Sequence, residues 1–160
     1  MKRFAFHLMM LFILFFSFFL FSEEEEIMKI ESSISPIRLS RGEEGKVLLK
    51  LRIKEGIVIS PRPGFIIEFN PNEELIFPKN FFNASDLGIE VLENNGEEKL
   101  NFKNPIEILF AVSLGASRGA HKLEGKIRYF ASSKKEGWCL KNTAKFSVPF
   151  STRQSIVKKK

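Results

Sequence analysis

Cysteine, histidine and tryptophan are scarce in this chain, and each scarcity removes a class of chemistry. Cys139 is the only cysteine. Secreted chains usually carry cysteines in pairs, so a lone one is an inert buried thiol, a reactive thiol or an intermolecular partner. Of the two histidines, His7 lies in the first apolar run and His121 in an alternating segment. One histidine without clustered ligands cannot build the usual metal site, and no Ser-His-Asp or Cys-His pairing has local support. His121 is therefore expected to be structural, with no metal and no other cofactor. A phosphate-binding loop is missing too, because Gly115-Ala116-Ser117-Arg118-Gly119 lacks both the lysine and the following helix. Beyond residue 22 no segment keeps helical periodicity over three turns. Aromatic residues interleaved with a basic groove are not evident, which argues against nucleic acid as a partner. The doublets Glu73-Glu74 and Glu97-Glu98 sit beside turns and read as solvated carboxylates.

What the chain does have begins at its first residues. Met1-Lys2-Arg3 is a positive start, and Phe4 to Phe21 is apolar except for His7 and Ser17. Positive charge ahead of an apolar run directs export. Ser22 suits the last position before a signal-peptidase cut, whereas Leu20 is bulky for the third-last; the run also reaches the ~18 residues of a spanning helix. Residues 1–22 are thus expected to be a signal peptide or a membrane anchor, with residues 4–21 the only membrane contact if they are retained. The protein is expected in the periplasm or another extracytoplasmic space. Removing 22 of 160 residues leaves 138, one domain of ordinary size that needs no disulfide or metal to fold.

Strand patterns follow. Residues 23–44 read as a linker, starting with the acidic run Glu23 to Glu26, and an edge strand around Ile30 to Ile37 that contains Pro36. Lys46 to Lys54 sets Val47, Leu49, Leu51 and Ile53 on one face against Lys46, Lys50, Arg52 and Lys54 on the other, the signature of a half-buried strand. Phe65 to Phe69, Leu87 to Leu92 and Lys99 to Phe102 read as further strands, the last two joined by Asn94-Asn95-Gly96, a hairpin signal. Ile106 to Leu114, His121 to Tyr129 and Lys145 to Phe150 alternate as well. Phe81-Phe82 reads as a loop plug closing one end of the domain, and as a candidate partner contact. Seven to nine short strands separated by turns predict an all-β fold, an antiparallel immunoglobulin-like β-sandwich over residues 45–150, followed by a basic tail, 151–160.

Tyr129 to Leu140 holds the only tyrosine, the only tryptophan and the only cysteine. It reads as a loop displayed between the last two strands, where working residues concentrate. A thiol attacks as its thiolate, and Lys134, Lys135 and Lys141 place positive charge near Cys139 in sequence. Trp138 is placed to shield the thiol or to dock a partner.

Several of these segments together carry a resemblance. They are Gly56-Ile57-Val58-Ile59 after an alternating strand, Phe77-Pro78, the run Gly119 to Tyr129, Gly137-Trp138-Cys139, and the closing Phe146-Ser147-Val148-Pro149-Phe150. With them the stretch from about Gly45 to Phe150 resembles the N-terminal, disulfide bond corrector domain of the bacterial thiol-disulfide interchange protein DsbD. The resemblance implies an immunoglobulin-like sandwich and a redox cysteine pair that passes electrons to extracytoplasmic proteins. Cys139 matches the second cysteine of that pair, and Ser132 stands where the first would be. A serine cannot close a disulfide, so two expectations remain and enzymatic activity stays open. One is a protein-binding adaptor that has lost the redox pair; the other is a single thiol, Cys139, exchanging with a partner through a mixed disulfide. The implied partner is an extracytoplasmic protein, thioredoxin-like or a redox membrane protein, met by Tyr129, Ser132, Trp138, Phe81 and Phe82.

Overall fold

The computed structural model describes residues 26 to 153, so residues 1–22, expected to be a signal peptide or anchor, and the part of the expected tail after Arg153 lie outside the described residues. Within them the chain forms β1 (Met28–Ser35), β2 (Arg38–Ser40), β3 (Glu44–Ile53), β4 (Val58–Ile59), β5 (Ile66–Phe69) and β6 (Leu75–Ile76). It continues through β7 (Phe81–Asn83), β8 (Val91–Asn94), β9 (Glu97–Leu100), β10 (Ile106–Val112), β11 (Gly119–Ser133) and β12 (Trp138–Arg153). One sheet has the order β1-β3-β10-β6 and the other β2-β12-β11-β5-β7, with β4 also on β11; β8 and β9 pair only with each other. This is an antiparallel β-sandwich with the strand order of immunoglobulin-like folds.

The alternation read from the sequence decides which faces meet. Val47 and Leu49 of β3 and Ile108 of β10 point inward from one sheet, and Ile67, Leu123, Ile127 and Val148 from the other, all with 2% exposure or less. Each such side chain contributes roughly 1.5–3 kcal/mol through burial, while the charged residues of β3 and β11 face water. Phenylalanine fills the space between: Phe69 stacks on Phe77 at 4.2 Å, and Phe82 and Phe146 meet Phe69 edge-on.

The sandwich is larger than residues 45–150. β1 pairs along its full length with β3, from Met28↔Ile53 to Ser35↔Lys46, at the edge of its sheet, so the edge strand expected around Ile30 to Ile37 is present, shifted to Met28–Ser35. After Pro36 the chain crosses to the other sheet, where β2 runs parallel to the end of β12. At the far end β12 continues to Arg153. The strand expected over Leu87 to Leu92 begins only at Val91, because Ala84 to Gly88 forms turns held by Asp86, which accepts from the Asn83 N–H at 3.1 Å. Phe81-Phe82 is likewise a strand, β7, paired with β5, rather than a loop.

Candidate functional site

The stretch from Tyr129 to Leu140 is not a loop. β11 runs on to Ser133 and β12 starts at Trp138, leaving only residues 134–137 as the turn of a long hairpin. Local chemistry sets that turn. Gly137 has φ 73°, a conformation that costs a side-chain-bearing residue energy. Its N–H donates to the Ser133 carbonyl at 2.8 Å, and the Glu136 N–H reaches the Ser133 hydroxyl. The Trp138 indole N–H donates to the Glu136 carboxylate at 2.5 Å, so the ring is tied to the turn.

Register fixes the rest of the site. Ser132 lies directly across from Cys139, and Ser133 from Trp138. On β11 the even-numbered backbone groups point away from β12: Phe130 accepts from Ser60 N–H, and Glu124 from Asn70 N–H. Ser132 and Cys139 therefore form a non-hydrogen-bonded pair, the kind in which facing side chains approach most closely. Both point to the outer face, since the inward positions of the hairpin are odd on β11 and even on β12. Cys139 is exposed.

Beside this pair lies a groove of about 610 Å³, lined by Val58, Ser60, Glu97, Glu98, Ser132 and Cys139 among others. Its far wall is the β8–β9 hairpin, whose tip Asn95-Gly96 has positive φ at both residues, as the asparagine-glycine signal requires. Two ion pairs hold that hairpin against the sheet: Lys134 with Glu97 at 2.5 Å, and Arg62 with Glu98 at 2.7 Å. Lys134 is thus engaged by a carboxylate, and three glutamates, Glu93, Glu97 and Glu98, line the groove that Cys139 enters. In sequence Glu97-Glu98 read as plain solvated carboxylates; their partners lie 36 and 37 residues away, beyond any local pattern.

The other expected site residues are divided by the pleat. Tyr129 is 2% exposed and belongs to the core, which corrects its assignment to one surface with Ser132 and Cys139: it is odd-numbered on β11 and faces inward, toward a separate groove beside β1. Burial, and then the nearby Glu26 carboxylate, push its phenol above the ordinary value of 10.0. Phe82 is also core, at 6% exposure, whereas its neighbour Phe81 is 57% exposed, pointing to the opposite face. Phe81 is on β7, at the edge of the sheet, and does not line the Cys139 groove. The structure brings Ser132 and Cys139 into one groove; Trp138, even-numbered on β12, faces the other side, packs partly against the core and does not line that groove, and the phenylalanines lie elsewhere. His121 packs at a tilt on Phe150; its Nε2 lies 2.8 Å from Thr152 Oγ1 and 3.0 Å from the Ser117 carbonyl, and its Nδ1 is 3.6 Å from Glu74. These contacts pin the 113–119 loop to β12.

No family model matches the chain, and no curated protein does either. Solved structures similar to it include murine CRIg, at 6% identity and a TM-score of 0.32, covering 79% of this chain and 98% of the other. A cohesin module from a Clostridium perfringens family 33 glycoside hydrolase gives 9% identity and a TM-score of 0.39, covering 80% and 96%. The CooA pilin subunit of enterotoxigenic Escherichia coli gives 9% and 0.28, covering 80% and 99%. The fold class rests on the strand order and pairing of the chain itself.

Proposed function

We propose that this protein is an extracytoplasmic protein-binding β-sandwich whose docking surface is the tip of the β11–β12 hairpin and the groove beside it. The reading takes its compartment from the sequence pattern of residues 1–22, and its redox ancestry from the resemblance to the DsbD N-terminal domain. The observation that carries it is the facing pair Ser132↔Cys139 on the outer face, open to the groove under the β8–β9 hairpin. A serine in that position keeps the shape of the site and removes its capacity to cycle between dithiol and disulfide. Binding, rather than electron transfer, is what such a surface retains. Cys139→Ser tests this directly: capture of the partner from a periplasmic extract should be unchanged, and loss of capture in that variant overturns the adaptor reading.

Exposure of Cys139 favours a second reading, thiol exchange. In it the Cys139 thiolate attacks one sulfur of a partner disulfide, a mixed disulfide forms, and the partner's other sulfur leaves as a thiolate that takes up a proton. With no second cysteine in this chain, release requires a thiol from another molecule. Titration of the native protein with a disulfide reagent separates the readings: an adduct at Cys139 that a thioredoxin-like protein removes supports exchange, and a thiol silent until denaturation rules it out.

A further inference from the structure

The outer edge of β12 is open. On one side β12 pairs with β11 from Trp138 to Thr152, but on the other β2 covers only Ser151 to Arg153. Because even-numbered residues of β12 bond to β11, the N–H and C=O groups of its odd-numbered residues point to the open side; Ser151, whose N–H donates to Ile37, confirms the direction. From Cys139 to Lys145 no described strand pairs with those groups; beyond them the Ser147 carbonyl accepts from the Ser32 hydroxyl of β1 at 3.3 Å. Pro149 is tolerated within a long strand because its missing N–H falls on this same side. It also marks the end of the stretch that can donate.

Two features turn the open edge into a site of defined chemistry. First, a groove of about 840 Å³ lies between the start of β1 and β12, lined by Ile27, Met28, Tyr129, Leu140 and Ala144 among others. Second, the outer face above that edge is basic. Lys141, Thr143 and Lys145 point outward from β12, opposite Phe130, Arg128 and Lys126 of β11. Those four cations have Glu68 as their only ion-pair partner among the described residues, shared between Lys126 and Arg128 at 3.4 Å each. Arg128 Nε is buried without an acceptor. Glu26 sits on the opposite, β1 side of the groove.

We propose that this edge accepts an added strand: an extended segment of a partner protein in which acidic and apolar residues alternate. A strand laid along Lys141 to Lys145 pairs its backbone with the free odd-numbered groups, and successive side chains then point to opposite faces. The apolar set enters the groove over Met28, Leu140 and Ala144, and the acidic set lies over Lys141, Lys145 and Arg128, away from Glu26. Lysine on an edge also discourages neutral and basic strands, so the charge acts as a filter. A second copy of β12 is disfavoured, since it would set Lys141 and Lys145 against their own equivalents. In the unbound protein the Asn142 side-chain oxygen accepts the Thr143 N–H at 2.7 Å, standing where the carbonyl of the added strand would be. This site does not use Cys139 chemistry and is independent of the function proposed above.

The test uses the protein and three labelled seven-residue peptides: alternating Glu and Val, the same composition with the residues in two blocks, and alternating Lys and Val. Saturable binding of the alternating acidic peptide alone is expected, with slowed amide exchange at Lys141, Thr143 and Lys145. Thr143→Pro, which removes a donor on the open side only, should weaken that binding about tenfold or more, while Thr143→Ala leaves it unchanged. The double variant Lys141→Glu, Lys145→Glu should abolish it and carries the test if the proline variant does not fold. Equal binding of the block or basic peptide overturns the proposal, as does binding indifferent to both variants. Self-association through β12 that competes with the peptide would assign the edge to a second copy instead.

Discussion

Ser132→Cys is the most informative single change, because it acts on the register that defines the site. The pair 132↔139 is non-hydrogen-bonded, with Cα atoms about 4.5 Å apart in such pairs, at the lower end of the roughly 4.4–6.8 Å that a disulfide spans. Both side chains leave the same face of the hairpin. A bridge should therefore form under mild oxidation without denaturant. It closes a loop of eight residues, Ser132 to Cys139. Chain entropy then gives a stabilisation of about 2.5 kcal/mol, an upper figure because the turn is already restrained. For a domain of this size that corresponds to a rise in Tm of about 5–10 °C. The assay is a thiol count on the native oxidised variant, followed by thermal melts with and without reductant. Ser133→Cys is the control: that residue faces inward opposite Trp138 and cannot reach Cys139 across the pleat. Two free thiols persisting in oxidised Ser132→Cys, or bridging in the control, would refute the register and with it the description of the site. A stable intramolecular bridge would also give the variant the cysteine pair implied by the family resemblance, so its reduction by thioredoxin-like proteins becomes measurable.

Other expectations follow from packing and ionisation. A Cβ on Gly125 would lie 2.6 Å from Phe146 Cζ and 3.0 Å from the Glu68 carbonyl oxygen, so Gly125→Ala should cost about 1–3 kcal/mol in urea unfolding. Phe82→Ala should cost about 3–5 kcal/mol, while Phe81→Ala, on the exposed side of the same strand, should stay within about 0.5 kcal/mol; similar losses at both would contradict the alternation of β7. Tyr129 is the only tyrosine, so tyrosinate absorbance reports it alone. Its folded phenol titrates above 10.0, owing first to burial and then to Glu26. The unfolded chain releases this proton first, so the contribution is complete below the unfolded value and is lost as pH rises through the folded one. Tyr129→Phe should make the alkaline limb of the stability curve shallower, and a native absorbance midpoint at or below 10 would contradict the burial.

Alternation made the central strands legible. The strands read over Lys46 to Lys54 and Ile106 to Leu114 are present as Glu44–Ile53 and Ile106–Val112, with Leu114 beyond the strand and 78% exposed, because a sheet with one wet face must separate lysine and glutamate from leucine and isoleucine at period two. The hairpin tip reads as a loop and is a strand for a physical reason. Beyond Tyr129 both faces of the ribbon become mixed: Ala131 and Ser133 are inward and Ser132 and Cys139 outward, and small residues on both sides leave no hydrophobic contrast. Backbone pairing alone carries the strand there, and pairing partners are not written in a local window. The same holds for the groove wall, where Glu97 and Glu98 acquire partners through tertiary contact. Tyr129 is singular in the composition, but that says nothing about the direction it faces, which the pleat sets inward.

Register also links the two surfaces proposed for binding. Cys139 directs its side chain to the outer face, beside Ser132, and its backbone N–H and C=O to the open edge of β12. It is the first residue of the stretch that an added strand would follow toward Lys145. A strand docked there would run past the thiol with its acidic side chains on the thiol's own face, two residues from Lys141. The hairpin therefore couples two properties that can be varied separately. Cys139→Ser removes the thiol and keeps the edge, whereas Thr143→Pro removes an edge donor and keeps the thiol. Under the thiol-exchange reading, and if one partner uses both, the double variant should lose more than either single change alone, and by a non-additive amount, since the sites share one strand within five residues. Additive losses would mean that the groove and the edge serve different molecules.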